Sequence, residues 1–169
     1  MTRKITVRQF APSEWRQYRN TRLQALKDSP DAFGSLYETT RLLPDNEWIS
    51  RLAGISQNRD LPLAGLVEAE FAGMAWARFD NPEEKVAYLY QMWVSPLFRG
   101  SGLARNLLTT AMQWATLHGA RAMILGVTCG DTPARKLYES AGFEPIGVPE
   151  PLRPGSEFEV QTMKYVFRN

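Results

Sequence analysis

The segment Arg99-Gly100-Ser101-Gly102 has the residue types best suited to binding an anion. It follows an apolar run that ends at Val94 and precedes a helical pattern that begins at Leu103. Glycines at such a junction allow the backbone to approach a ligand closely. The first turn of a helix adds unpaired N–H groups and the positive end of the helix dipole. The sequence therefore predicts an anion site here, most simply for phosphate.

The spacing around these glycines tests two known kinds of phosphate site. A P-loop is excluded, because no lysine and hydroxyl pair follows Gly102. A dinucleotide fingerprint is disfavoured, since Arg105 stands where its third glycine belongs. A tight turn without a ligand remains open on the spacing alone.

Two motifs resemble those of the GNAT superfamily of acyl-CoA-dependent N-acyltransferases. Val94-Ser95-Pro96 followed by Arg99 to Ala104 is similar to the family's V-x-P-x-x-R-G-x-G form, and Asp131 to Phe143 is similar to N-x-x-A-x-x-L-Y-x-x-x-G-F. The resemblance extends over nearly the whole chain in the order of strands and helices. It implies an α/β (α+β) fold, with a central, mixed, mostly antiparallel twisted sheet flanked by helices, and one domain over residues 1–169.

The same resemblance implies acetyl-CoA as the cofactor. The amides from Gly100 to Arg105 would donate to its pyrophosphate, and its pantetheine arm would lie between two diverging strands, YQMWV and MILGV. Two ordinary paired strands are the alternative. The residues expected to bind the cofactor are Met92, Val94, Arg99, Gly100, Ser101, Gly102, Leu103, Ala104, Arg105, Asp131 and Arg135.

The reaction implied is acetyl transfer from a thioester to a primary amine, which must lose a proton to attack. Tyr138 matches the family tyrosine that serves as general acid toward the departing thiolate; a purely structural tyrosine is the alternative. Gln91 stands where many relatives have glutamate, and an amide can orient a water but cannot take up a proton. Asp131 replaces the usual asparagine, and we expect it to retain a helix-capping role.

The general base is therefore left open as a water chain, another carboxylate or none. The carboxylates considered are Glu38, Glu68 and Glu70, each of which could equally be a surface acid. A Cys129–His118 nucleophile pair and a zinc site are both disfavoured, because the chain has one cysteine and one histidine.

The N-terminal half is expected to form the acceptor pocket. Phe33, Glu38, Trp76 and Tyr90 are its predicted substrate-binding residues, with Tyr37 and Trp93 as further aromatic candidates. Packing in the core is the alternative for most of these aromatic side chains.

The elements that position these residues follow from hydrophobic periodicity. We expect a first strand at residues 4–10 and a helix capped by Ser13, with Trp15, Tyr18, Leu23 and Leu26 on one face; a further helix would be capped by Asp45. Two strands from Leu61 would turn near Glu70 to Gly73, and Val86 to Ser95 would be a central strand buried on both faces. Later elements are a helix ending at Gly119, a buried strand at 121–128, a helix from Pro133 to Gly142, strands at 143–148 and 161–167, and a loop from Pro149 to Ser156.

The composition restricts the class of protein. With 169 residues, 44% hydrophobic and 22% charged, the chain is typical of a soluble globular domain. A net charge of +2 indicates no nucleic-acid partner. The single cysteine favours the cytoplasm, and no apolar run is long enough for a membrane span. Two functions stay open: an N-acetyltransferase acting on a small-molecule or peptide amine, with a possible homodimer, and an acyl-CoA-sensing domain without turnover.

Overall fold

The computed structural model describes residues 2–168 as a seven-stranded sheet flanked by helices. The strands are β1 Ile5–Gln9, β2 Asp60–Val67, β3 Glu70–Arg78, β4 Val86–Val94, β5 Ala122–Thr128, β6 Glu144–Pro151 and β7 Glu159–Val166. The helices are α1 Trp15–Asp28, α2 Tyr37–Thr40, α3 Asp45–Ala53, α4 Leu103–Leu117 and α5 Pro133–Ser140. None of the helices in this part of the chain is both long and apolar enough to cross a membrane.

The strand order is β1-β2-β3-β4-β5-β7-β6. The β4–β5 pair is parallel, and the other neighbouring pairs are antiparallel. The predicted mixed, mostly antiparallel sheet is confirmed.

The core lies on both faces of this sheet. Consecutive residues of β2 separate the two faces: Leu63 packs in the cluster that includes α4 and α5, and Ala64 packs in the cluster that includes α1 and α3. This alternation is the side-chain period of a strand. Both faces of the central strands are therefore covered by helices.

Helix α1 begins later than predicted and buries a different set of residues. Residues Pro12–Glu14 form a short 3₁₀ turn, and the Glu14 carboxylate accepts a hydrogen bond from the Ala11 N–H at 2.8 Å. The predicted cap at Ser13 is therefore wrong. Leu23 is only half-buried, whereas Arg22 lies on the buried face with Tyr18 and Leu26. The four-residue spacing of these three residues explains their common face.

The turn between β2 and β3 also differs from its prediction. It lies at Glu68 and Ala69, with Glu68 at φ +58°, and not at Glu70 to Gly73. Gly73 lies inside β3, where a Cβ atom would come within 2.7 Å of the Trp93 carbonyl oxygen. That glycine is required for close backbone approach between strands and not for a turn.

The predicted ends of α4 and α5 are confirmed. Gly119 follows α4 with φ +86°, and Gly142 follows α5 with φ +102°, which are the left-handed values that favour glycine after a helix. Pro133 is the first residue of α5. The predicted cap at Asp45 is wrong, because the N-cap of α3 is Pro44 and Asp45 is the first residue of the helix. Strand β6 extends to Pro151, so the following loop is shorter than predicted.

Strand β4 is central, as predicted, but it is not buried on both faces along its whole length. Its pairing with β5 runs from Val86 with Ala122 to Leu89 with Leu125 and then stops. Beyond this point Tyr90 is 42% exposed. The predicted divergence of these two strands is confirmed.

Candidate active site

A cavity of about 1100 Å³ lies where β4 and β5 diverge. Its walls come from four parts of the chain: the first three helices and the loop that follows α1, the paired strands β3 and β4, the C-terminal end of β5 with α5, and the β6–β7 segment. The lining residues used below are Tyr18, Arg22, Asp28, Asp31, Phe33, Thr40, Arg51, Trp76, Arg78, Asp80, Tyr90, Gln91, Met92, Cys129 and Tyr138. Distant segments of the sequence therefore meet around one open space.

Gln91 marks a β-bulge in the wall of this cavity. The β3–β4 register passes from Met74 opposite Trp93 to Trp76 opposite Tyr90, so β4 holds one extra residue there. Gln91 itself has φ +58°, an uncommon value for a residue with a side chain. Its Oε1 accepts a hydrogen bond of 2.9 Å from the hydroxyl of Tyr18. The bulge turns this amide side chain toward the cavity.

Tyr138 lines the opposite wall from helix α5. The residue is 4% exposed, and its ring packs edge-on against Phe143 at 6.0 Å between centroids. Its hydroxyl has no hydrogen-bond partner within residues 2–168, and burial raises the pKa of this phenol above its ordinary value. The residue therefore belongs to the core and also presents a protonated hydroxyl to the cavity.

The glycine junction leaves open space in front of the start of α4. Gly100 and Gly102 have φ values of +81° and +91°, and a Cβ atom added to either would meet nothing within 4 Å. Glycine is required here by backbone conformation, because L side chains rarely adopt these angles. The space in front of the two residues is free for a ligand.

Some of the predicted amide donors already have a protein acceptor. The Ser101 N–H donates to the Phe98 carbonyl and the Leu103 N–H to the Ser101 hydroxyl, each at 3.3 Å. The N–H groups of Gly100, Gly102, Ala104 and Arg105 have no acceptor in the described part of the chain. These four unpaired groups lie at the N-terminus of a helix that has no side-chain cap, where the sequence predicts an anion site, and are called the cradle below.

The predicted cofactor-binding side chains are tied to other elements. Arg99 contacts Asp28 at 2.6 Å and donates through Nε to the Val94 carbonyl at 3.1 Å. The guanidinium of Arg105 donates to the Ser140 hydroxyl at 2.7 Å, linking α4 to α5.

On α5, Arg135 forms an ion pair with Glu139 at 3.2 Å. The capping role predicted for Asp131 is wrong, because the cap is Thr132, whose hydroxyl accepts from the Arg135 N–H at 3.1 Å. Asp131 instead lies 3.6 Å from Lys136 on the surface.

The predicted acceptor residues divide into two groups. Phe33, Trp76 and Tyr90 line the cavity. Glu38 does not; its exposed carboxylate pairs with Arg41 at 3.3 Å. Glu68 and Glu70 are exposed and also lie outside the cavity wall. None of the three glutamates considered as a base is therefore placed next to the bulge.

Two carboxylates that line the cavity, those of Asp28 and Asp80, already accept hydrogen bonds from neighbouring side chains. Burial would raise the pKa of Asp28, but hydrogen bonds from Ser29, Trp93 and Arg99 lower it below its ordinary value. Asp80 accepts from the Tyr90 hydroxyl at 2.7 Å and lies 3.4 Å from Arg78. Burial and this hydrogen bond raise the pKa of the Tyr90 phenol.

Cys129 and His118 are not brought together at the cavity. Cys129 lines it, whereas His118 lies beyond α4 with its ring tilted against that of Trp114 at 5.0 Å between centroids.

The residue patterns did not predict several cavity residues, among them Tyr18, Arg22 and Arg51. Tyr18 was read only as a core aromatic. Arg22 carried a usable signal, because it lies four residues after Tyr18 and four before Leu26 on the apolar face of a helix. A charged residue at such a position is rarely buried without a purpose.

Comparison with known proteins gives the family. The model of the acetyltransferase (GNAT) family matches residues 14–143, and the chain belongs to this family. N-acetylaspartate synthetase of Xenopus tropicalis is 36% identical over 85 residues, which are 50% of this chain and 31% of that protein. Mycothiol acetyltransferase of Corynebacterium glutamicum is 36% identical over 74 residues, 44% of this chain and 25% of that protein. The chain thus spans less than a third of the length of either relative.

The fold comparison agrees with the family assignment. The structure of the yncA protein of Salmonella typhimurium, solved with its cofactor acetyl-CoA, superimposes with a TM-score of 0.80 at 16% identity, covering 98% of this chain and 95% of that chain. At this level of identity the likeness establishes the fold.

Proposed function

We propose that this protein is an N-acetyltransferase that moves the acetyl group of acetyl-CoA to the primary amine of a small molecule or peptide. The observation that carries the proposal is that a cavity and a row of unpaired amides lie along the same strand, β4, and the segment that follows it. The cavity opens where β4 leaves β5, and the unpaired amides of the glycine junction follow the end of β4 after one short 3₁₀ turn, Pro96–Phe98. A long cofactor with an anionic part and a reactive end matches this arrangement.

The residues present fit acetyl-CoA. The free N–H groups of Gly100, Gly102, Ala104 and Arg105 would hold the pyrophosphate, and the open space in front of both glycines leaves room for it. The backbone of Met92 and Val94, which no longer pairs with β5, would bond to the pantetheine arm. The Val94 carbonyl already accepts from Arg99, so the arm would share that oxygen or use the adjacent amides. The guanidinium of Arg99 would act by fixing this strand end.

The chemistry requires a neutral amine, because a protonated amine has no free electron pair. When bound, acetyl-CoA supplies the thioester whose C–S bond breaks as the C–N bond of the amide forms. Gln91, held by Tyr18, would orient a water that carries the amine proton away. The Tyr138 hydroxyl would give its proton to the leaving sulfur and then recover one from solvent. Because the pKa of Tyr138 is raised, its hydroxyl is protonated before the reaction begins.

The experiment that tests the proposal is a screen of primary amines in which free thiol is measured as acetyl-CoA is consumed. The expected result is thiol release that depends on the amine and produces a stoichiometric amount of the N-acetyl product by mass spectrometry. Thiol release without an acetylated amine, or none with any amine class, would contradict the proposal.

A second function, acyl-CoA sensing without turnover, has one observation in its favour. Gln91, an amide, stands where the resemblance to the family implies a glutamate, and Asp28 and Asp80 of the cavity wall are engaged in ion pairs. Calorimetry separates the two functions, since a sensor would bind acetyl-CoA tightly and leave it unconsumed in the presence of every amine. We further propose a cytoplasmic homodimer, which cell fractionation and light scattering of the purified protein would test.

A further inference from the structure

Arg22 is a buried cation without a partner at the acceptor end of the cavity. The residue is 6% exposed, lines the cavity and makes no ion pair or hydrogen bond through its guanidinium within residues 2–168. Its Nη1 atom is fully buried and unsatisfied. One face of the guanidinium stacks on Phe33 at 4.7 Å from the ring centroid. The contact with Phe33 orients the group but leaves its N–H donors free.

Such an arrangement is costly in the absence of a ligand. Burial lowers the pKa of Arg22 to about 10, with a smaller lowering from the positive charge of nearby Arg51 and an opposing effect from Tyr18. The group remains charged at neutral pH, so a desolvated cation faces a second cation. A buried charge is normally paired, because an unpaired one loses its hydration without compensation.

The charged groups around the cavity do not supply the missing partner. Asp28 pairs with Arg99, and Asp80 pairs with Arg78. Asp31 is exposed and makes no ion pair with Arg22. Thr40, whose hydroxyl also has no partner within residues 2–168, lines the same cavity and is 9% exposed. Arg22, Arg51 and the Thr40 hydroxyl therefore present donors that have no acceptor in the described part of the chain.

We propose that Arg22, assisted by Arg51 and the Thr40 hydroxyl, binds a carboxylate of the acceptor, so that the substrate is an amine that also carries a carboxylate. A planar guanidinium with free donors matches a carboxylate in a two-point contact. This inference rests on the proposed acetyl transfer, because it assigns the acceptor of that reaction. Free amino acids and short peptides with a free C-terminus share the required chemistry.

The helix places this carboxylate site at a suitable distance from the reaction centre. Tyr18 and Arg22 lie one turn apart on α1, roughly 6 Å along its axis. The Tyr18 hydroxyl contacts Gln91 at the bulge. An acceptor held by Arg22 would thus extend toward Gln91 with its amine, over the few bonds that separate the two groups in an amino acid.

The test compares carboxylates with matched carboxamides. The twenty L-amino acids and a set of dipeptides with free C-termini are assayed by thiol release with acetyl-CoA, each beside its C-terminal amide. The expected result is that at least one carboxylate acceptor reacts with a kcat/KM at least about tenfold above that of its amide. Reaction confined to amino acids or confined to dipeptides identifies the source of the carboxylate, and either result supports the proposal.

Variants of Arg22 assign the effect to this residue. For the best carboxylate acceptor, Arg22→Met should raise KM about 10- to 100-fold with a smaller change in kcat, and should hardly alter the KM of the amide. Arg22→Lys should recover part of the loss. The matched control is Arg16→Met, since Arg16 is also on α1 and also stacks on an aromatic ring, Trp15, but lies outside the cavity wall.

A second measurement is independent of turnover. Calorimetric titration of the same amino acids and amides into the protein, with coenzyme A present, should show carboxylate binding that Arg22→Lys weakens and Arg16→Met does not. If carboxylates bind through Arg22 but no amine is acetylated, the proposed function fails and the carboxylate site stands. If amines without a carboxylate are acetylated equally well, and Arg22→Lys leaves binding and KM unchanged, the site is refuted and the function stands. A protein that neither binds nor acetylates any carboxylate also refutes the site.

Discussion

The proposed site has two ends that are built in different ways: the glycine junction, where the cofactor would bind, and the cavity wall around Arg22, which is the acceptor end. At the glycine junction the groups available to a ligand are backbone N–H groups from consecutive residues, Gly100 to Arg105. At the acceptor end they are side chains from separate segments: Arg22 on α1, Thr40 on α2 and Arg51 on α3. The first kind of site binds through backbone groups, so most of its side chains can vary. The second kind binds through side chains, so it depends on the identity of each one.

This difference predicts which substitutions impair binding at each end of the site. A backbone cradle is disabled by whatever changes the backbone or fills the space in front of it. A side-chain site is altered by single substitutions that leave the cradle intact. Acceptor selectivity should therefore vary independently of cofactor binding, and the following predictions test that separation.

The largest effect is expected for Gly102→Trp. The substitution forces a side chain onto φ +91° and fills the space in front of the free amides. Each charge-assisted hydrogen bond lost is worth about 1.5–3 kcal/mol, so the affinity for coenzyme A should fall at least about 100-fold. Calorimetry measures this loss.

The control for this change is Gly119→Trp. Gly119 has a similar φ of +86° and open space around its Cβ position, but it lies after α4 and away from the junction. The two variants should lose similar stability, while the control keeps its affinity. Equal affinity in both variants would show that the cradle does not bind the cofactor.

Tyr138→Phe should reduce kcat by about 100-fold and leave the affinity for coenzyme A nearly unchanged, because only the proton donor is removed. Tyr165→Phe is the control, since Tyr165 packs beside Phe143 without lining the cavity.

Burial raises the pKa of Tyr138, so this phenol stays protonated to a higher pH than an exposed tyrosine does. The kcat of the wild-type protein should therefore show no falling limb from this group up to about pH 10. A kcat equal to that of wild type in Tyr138→Phe would exclude the acid role.

Gln91→Ala should lower kcat/KM about tenfold, because it removes the group proposed to orient water and leaves the Tyr18 hydroxyl without its acceptor. Gln91→Glu keeps an acceptor for Tyr18 and adds a carboxylate that can take up a proton. Its kcat/KM should be no lower than that of wild type, with a new fall at acid pH. If both variants lose activity equally, the amide itself is required.

The smallest effect is expected for Arg99→Gln. The Arg99 side chain pairs with Asp28 of the cavity wall and so connects the glycine junction to the acceptor end of the site. Its half-exposed position limits the loss of stability to about 1 kcal/mol or less. The pKa of Asp28 is lowered in the folded state, so this stabilisation is complete above the unfolded-state pKa, near 4, and is lost as the pH falls through the folded-state value. Urea unfolding should therefore separate Arg99→Gln from wild type at pH 7 more than at pH 3.

The control for Arg99→Gln is Arg41→Gln, which removes the exposed pair with Glu38. It should unfold like wild type at both pH values. A variant of Arg99 that also matches wild type at pH 7 would show that the pair with Asp28 contributes nothing measurable.

The fold and the cofactor end could be predicted from the sequence because their signals are local. Hydrophobic periodicity located α4, β4 and β5, and the glycines at 100 and 102 are adjacent to the helix whose amides they free. The turn near residue 70 was misplaced because Gly73 looks the same in the sequence whether it makes a turn or allows a strand to approach. Helix α1 was misread for a related reason, since Leu23 was given the position that Arg22 holds.

The sequence by itself determined the order of strands and helices, the glycine junction and the family. Each of these depends on residues that are close together in the chain. The tertiary structure alone decided that Tyr18 reaches Gln91, that Glu38 lies outside the cavity wall and pairs with Arg41, and that no acceptor within residues 2–168 reaches the Nη1 atom of Arg22. These facts depend on contacts between segments far apart in the chain. No local pattern encodes such contacts, because they arise only when the helices pack against the sheet.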